Sequence, residues 1–106
     1  MTAIIVVATI SPKPGQEQAV RDAVLAVVPK VHAEPGCELY ALHETLGDST
    51  DLVFVEKWAS QEALEAHRIA APLAELGEAL KGKVAKRLEV VRLSAVPGGT
   101  AGQGAI

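Results

Sequence analysis

The chain has 106 residues, of which 49% are hydrophobic and 22% charged, the size and mix of one small globular domain. Its formal net charge of −3 excludes a dominant electrostatic attraction to nucleic acid or to an anionic membrane. Its single cysteine, Cys37, excludes an intrachain disulfide and a multi-cysteine metal site.

The first third of the chain predicts a strand followed by a helix. Ile4–Ile10 is rich in β-branched residues without polar alternation, which is typical of a strand buried on both faces. From Gln16 onwards, apolar residues recur on one face of a helix. Pro29 cannot donate a backbone hydrogen bond, so we expect it to end or kink this helix, with residues 30–33 as the last turn.

The middle of the chain predicts a hairpin. Alternation over Cys37–Thr45 places its first residue with Leu39 on one face and Tyr40 on the other. Residues 46–51 are rich in turn formers and connect to a strand over Leu52–Trp58.

The second half predicts two helices and a last strand. Ser60 is a good N-cap for a helix whose inward face carries Leu64 and His67. Pro72 ends that helix and opens the next one. Apolar residues in phase over Val84–Leu93 predict the last strand.

The order β-α-β-β-α-α-β is a split βαβ pattern, which predicts an α+β fold with a four-stranded antiparallel sheet and helices on one face. We expect this domain to span residues 1–97 and residues 98–106 to form a flexible tail. Strands that are apolar on both faces cannot leave one face in water, so we expect a homodimer through the open sheet face.

The sequence gives no sign of a membrane protein. Its longest unbroken apolar runs, such as residues 3–8, are far too short for a membrane span, and the first basic residue is Lys13. We therefore predict a cytoplasmic protein that binds neither membrane nor nucleic acid.

Common cofactor and metal motifs are absent from the sequence. No G-x-G-x-x-G or P-loop cradles a phosphate, no G-x-S-x-G elbow occurs, and no H-E-x-x-H pair predicts a metal site. What remains is a small set of polar and aromatic residues on apolar faces.

His67 is the first candidate, because a neutral imidazole can accept a proton near neutral pH. The residue pattern by itself favours the alternative, a core or interface histidine that is hydrogen-bonded to a neighbour. The Trp58 ring offers a flat wall and one donor, or simply a core anchor. Tyr40 could donate a hydrogen bond to a bound oxyanion.

Glu56 shares a strand face with Phe54 and Trp58. A carboxylate among apolar neighbours needs a partner, and we expect a structural ion pair with a basic residue of the last strand (Lys86, Arg87 or Arg92), with an acid–base role as the alternative. Cys37 is expected to be a small buried filler.

Three segments of the sequence are similar to those of a known protein family: Glu34-Pro35-Gly36-Cys37, Glu56-Lys57-Trp58, and Ala63-Leu64-Glu65-Ala66-His67. Together they resemble the antibiotic biosynthesis monooxygenase family, and within it the small bacterial quinol monooxygenases, over roughly residues 3 to 97.

The resemblance implies a ferredoxin-like subunit that pairs into a dimeric α+β barrel. It also implies oxygenation of quinol-like or polycyclic phenolic compounds by O₂ without flavin, haem or metal. A deprotonated quinol can reduce O₂ itself, so the protein must remove a proton, hold the anion and exclude water. We expect His67 as the base, Trp58 as the stacking residue, Phe54 and Glu56 in the substrate pocket, and Tyr40 as a donor.

Two alternatives stay open. A non-catalytic binding or stress-response module could use the same pocket. Haem-degrading relatives use a first-strand Asn with a Trp and a His, and here Ile4–Ile10 contains no Asn.

Overall fold

The computed structural model describes residues 2–106 as a four-stranded antiparallel sheet with its main helices on one side. The strands are β1 (Ile4–Ile10), β2 (Cys37–Glu44), β3 (Leu52–Trp58) and β4 (Glu89–Leu93), and the helices are α1 (Glu17–His32), α2 (Gln61–Arg68), α3 (Ala71–Leu80) and α4 (Ala101–Gly104). The sheet order is β2-β3-β1-β4. The predicted α+β architecture is therefore confirmed.

The core lies between the sheet and the helices. Alternate residues of β1, such as Val6 and Ala8, pack against the apolar stripe of α1, where Val20 and Val24 have no exposed surface. Each buried valine contributes about 1.5–3 kcal/mol relative to exposure. The core is built mainly from aliphatic residues and contains three large aromatic side chains, Tyr40, Phe54 and Trp58.

The other face of the sheet has an apolar centre, on which none of the core residues of the helices packs. Val7 lies opposite Val55 on β3 and Val91 on β4, in a row that points away from the helical layer. On the edge strand, Val91 is 53% exposed and Leu93 is 44% exposed. A single protomer thus leaves a β-branched surface in water, as the strand pattern predicted.

The last strand begins later than predicted. Val84 forms only an isolated bridge to Pro12, and β4 starts at Glu89 opposite Thr9. Two residues, 10–11, separate Thr9 from Pro12 on the first segment. On the second segment four residues, 85–88, separate Val84 from Glu89. A continuous ladder cannot accommodate that difference, and Pro12 has no N–H to extend it.

The predicted face of Cys37 is wrong, because β2 contains a bulge next to this residue. Cys37 pairs with Trp58 while Leu39 pairs with Lys57, so the register shifts between them. The extra residue turns Cys37 towards the core, on the same side as Tyr40, whereas strict alternation had placed it with Leu39.

The ends of two other elements also differ in detail from the sequence pattern. Helix α1 continues through Pro29 to His32, as the predicted last turn allows. Near the C-terminus the four-residue helix α4 forms, which the sequence did not predict.

Candidate active site

A turn before β2 packs directly on α2 and fixes where that helix starts. The Ser60 side chain accepts a hydrogen bond from the Ala63 N–H at 3.1 Å, which caps α2. Gly36 has φ +80°, and a Cβ at this position would lie 2.5 Å from the Cβ of Ala63. The Ala59 N–H donates to the Gly36 carbonyl at 2.8 Å. The segment around Glu34 is thereby held against the helix that carries His67.

A cavity of about 420 Å³ lies between the sheet and the helices α2 and α3, and reaches β4. Most of its wall is aliphatic, with Val6 from the sheet and Leu64 and Leu76 from the helices as examples. Its size and lining are those of a site for one small organic molecule. Four of the predicted residues lie on its wall: His67, Tyr40, Phe54 and Glu56.

His67 is held on one side by a carboxylate. Its Nδ1 lies 2.9 Å from Oε1 of Glu34, and the two side chains are only 6% and 11% exposed. Within residues 2–106 no other hydrogen bond to the ring occurs, so Nε2 is left for whatever enters the cavity. The ring stacks on Trp58 with centroids 4.4 Å apart and an interplanar angle of 28°.

Trp58 lies behind the wall of the cavity and has no exposed surface. Its Nε1–H donates to Oε1 of Glu56 at 2.9 Å. This donor replaces the predicted basic partner from the last strand, and that prediction is wrong because Trp58, two residues along the same strand face, is already within reach. Lys86 instead pairs with Glu89 at 2.9 Å.

The electrostatics of Glu56 follow from this position. Burial raises the pKa of the Glu56 carboxyl; the hydrogen bond from Trp58 and the charge of His67 oppose that rise, while Glu34 adds to it. A carboxyl whose pKa is raised takes up and releases a proton closer to neutral pH than an exposed one.

Tyr40 contributes a neutral phenol. Its ring stacks on Phe54 with centroids 4.1 Å apart and meets Trp58 and His67 edge-on. Burial raises the pKa of the Tyr40 hydroxyl, and the negative charge of Glu56 raises it further. The hydroxyl therefore stays protonated at neutral pH and keeps a proton that it can donate.

Cys37 lies beside this cluster, and the other two histidines of the chain lie outside it. Cys37 is half-buried rather than the buried filler that the sequence predicted, and burial together with the charges of Glu34 and Glu56 raises the pKa of its thiol. His32 bonds through Nε2 to the Tyr40 carbonyl at 3.0 Å, and His43 is exposed. Within residues 2–106 there is no group of three or more potential metal ligands, nor a helix that is long and apolar enough to cross a membrane.

Glu34 is the residue of this cluster that sequence reasoning missed. The sequence analysis named it only as part of the Glu34-Pro35-Gly36-Cys37 segment, and it lies 33 positions before His67. The glycine two residues later was the available signal, because it marks a turn that a neighbouring element can approach closely.

Comparisons with known proteins agree with this architecture. The antibiotic biosynthesis monooxygenase family matches residues 3–76. The Escherichia coli protein named probable quinol monooxygenase YgiN is 36% identical over 93 residues, covering 76% of this chain and 88% of that protein. Rv0793 of Mycobacterium tuberculosis is 35% identical over 65 residues; the match covers 61% of this chain and spans 63% of that protein.

Solved structures show the same fold. PA3566 from Pseudomonas aeruginosa superposes with a TM-score of 0.84 at 26% identity, covering 91% of this chain and 96% of that one. The structure of Rv0793 superposes with a TM-score of 0.82 at 27% identity, covering 94% of this chain and 99% of the other. The sequence match over most of the domain and the shared fold lead to one conclusion: the chain belongs to the antibiotic biosynthesis monooxygenase family.

Proposed function

We propose that the protein is a monooxygenase that oxidises quinol-like or polycyclic phenolic compounds with O₂ and needs no bound cofactor. The observation that carries this proposal is the largely aliphatic cavity whose wall holds His67, Glu56 and Tyr40. The likeness to YgiN, which is named for a quinol substrate, supports the substrate class.

The proposed reaction balances with substrate and O₂ alone. A ring C–H of the quinol becomes a C–O bond and the quinol becomes a hydroxyquinone. The second oxygen atom leaves as water with two hydrogens of the quinol. The substrate therefore supplies every electron, and the protein is left with proton transfer, anion binding and exclusion of water.

Each polar group on the wall has a role in that scheme. His67 accepts the phenolic proton at Nε2, because its Nδ1 is already engaged by Glu34. Tyr40 donates a hydrogen bond to the resulting oxyanion. Phe54 forms part of the flat wall, and Glu56 binds a second hydroxyl of the substrate.

Trp58 acts from behind the wall. Its ring supports the imidazole of His67, and its N–H holds one oxygen of Glu56 in place. In the proposed mechanism it is a positioning residue, since it does not line the cavity.

Oxygen uptake tests the proposal directly. The rate with a reduced naphthoquinone should exceed autoxidation, and His67→Ala should lower it at least about tenfold, since a positioned base contributes about 10²–10⁴-fold. His67→Gln should do the same while keeping a donor to Glu34, which guards against simple unfolding. Asp48→Ala, at an exposed position of the β2–β3 connection, should leave the rate unchanged.

Other results would point elsewhere. No oxygen uptake above autoxidation with reduced naphthoquinones or polycyclic phenols would contradict the proposal and favour a non-catalytic binding module. A Soret band on titration with haem, together with haem loss, would favour the haem-degrading alternative.

We also propose that the protein acts as a homodimer through the open sheet face. The row of Val7, Val55 and Val91 is apolar, and its edge-strand member is 53% exposed in the single protomer. A second copy covers such a self-complementary patch. Sedimentation should show a dimer at micromolar concentration, and Val55→Lys should dissociate it; a folded wild-type monomer would contradict this.

A further inference from the structure

We propose that Glu34 is a positioning residue for the reaction, which holds His67 with its proton on Nδ1 so that Nε2 presents a lone pair to the cavity. The effect on rate rests on the proposed function. The position of the proton on the ring does not, and it can be measured without any substrate.

The contact itself dictates the position of the proton. Glu34 Oε1 lies 2.9 Å from Nδ1 of His67. A carboxylate oxygen only accepts hydrogen bonds, so Nδ1 must be the donor. In a neutral imidazole the other nitrogen then carries the lone pair, and the His67 ring lines the cavity.

Burial makes this pairing unusual for a merely structural contact. The Glu34 side chain is 11% exposed, and its second oxygen, Oε2, is buried without a hydrogen-bond partner. A buried carboxylate oxygen without a partner costs stability. Stability therefore does not explain why the Glu34 carboxylate is buried here, whereas a role in orienting the His67 ring does.

The surroundings hold the ring in one orientation. Trp58 stacks on the imidazole at 4.4 Å, and Tyr40 meets its edge at 5.7 Å. The turn at Gly36 fixes the backbone beside Glu34 against α2. Glu34 itself lies outside the cavity wall, so it acts on the reaction only through His67.

The nitrogen spectrum of the histidine rings tests the proposal. In ¹⁵N-labelled wild-type protein at about pH 9, above the ordinary histidine pKa of about 6.5, two-bond ¹H–¹⁵N correlations distinguish the two neutral forms. We expect Nδ1–H for His67, assigned by its loss in His67→Gln. His32 is an internal reference with the opposite form, because its Nε2 faces the Tyr40 carbonyl at 3.0 Å.

The matched variants are Glu34→Gln and Glu38→Gln. A glutamine amide can accept or donate a hydrogen bond, so in Glu34→Gln both neutral tautomers of His67, Nδ1–H and Nε2–H, should be populated. It should lower kcat at least about tenfold and change KM by less than about twofold, because Glu34 does not touch the cavity. Glu38 lies in β2, four residues along the chain, and contacts Lys57 at 3.7 Å, so its variant should leave the ring form of His67 unchanged.

Several results would overturn the proposal. These are an Nε2–H or doubly protonated His67 in the wild type, a ring form that Glu34→Gln leaves unchanged, or equal effects of the two glutamine variants. If no quinol is oxidised, the proposed function fails while the nitrogen spectrum still decides the role of Glu34.

Discussion

Replacing Trp58 with phenylalanine should destabilise the protein by an amount that depends on pH. The change removes the indole N–H that Glu56 accepts at 2.9 Å inside the core. A hydrogen bond to a charged group contributes about 1.5–3 kcal/mol, and one between neutral groups about 0.5–1.5 kcal/mol. The volume lost is the same at every pH, so the difference between two pH values isolates the hydrogen bond.

The sign follows from the position of Glu56. Because burial raises its pKa in the folded state, its contribution to stability is full below the ordinary carboxyl pKa and is lost as pH rises through the folded value. Without the Trp58 donor the folded pKa rises further and more stability is lost. We therefore expect the penalty of Trp58→Phe to grow by about 1–2 kcal/mol between about pH 4 and pH 8.

Urea unfolding followed by far-UV circular dichroism measures this difference. Fluorescence is unsuitable, because Trp58 is the only tryptophan of the chain. In a Glu56→Gln background the penalty should be the same at both pH values, since the titrating group is gone. A penalty that is independent of pH in the wild-type background, or one that still depends on pH in the Glu56→Gln background, would refute the reasoning.

Two further substitutions test the frame of the site. Gly36→Ala should lower the Tm by more than about 4 °C, because the new Cβ meets Ala63, whereas Gly47→Ala, also at positive φ but in open space, should lower it less; equal shifts in thermal scans would contradict this. Tyr40→Phe should keep the stack on Phe54 and the Tm but lower kcat about tenfold or more, through loss of the oxyanion donor; an unchanged steady-state rate would remove Tyr40 from the mechanism.

Local patterns predicted most of the fold. The strand Leu52–Trp58 and the cap at Ser60 were both predicted at their observed positions, because period-2 alternation and capping are properties of neighbouring residues. The predicted start of β4 was wrong, because the start depends on the register between two segments that are far apart in the sequence. The bulge at Cys37 depends on the same kind of cross-strand register.

The candidate site was predicted less completely for a related reason. The inward position of His67 follows from the helical period alone. Its contact with Glu34 does not, because it depends on a turn and a helix that are 33 residues apart meeting at a glycine. The partner of Glu56 was not predicted, because a basic residue of the last strand was expected, whereas the donor lies two residues away on the same strand.

The β2–β3 connection, residues 45–51, has a further consequence for experiments on this chain. It is mostly exposed, with Leu46 at 90%, and it separates Glu34 from His67 along the sequence. Of two peptides made by cleavage there, one would carry Glu34 and the other His67. Under the proposed function, oxygen consumption would return only when the peptides reassociate, so the protein would serve as a split reporter.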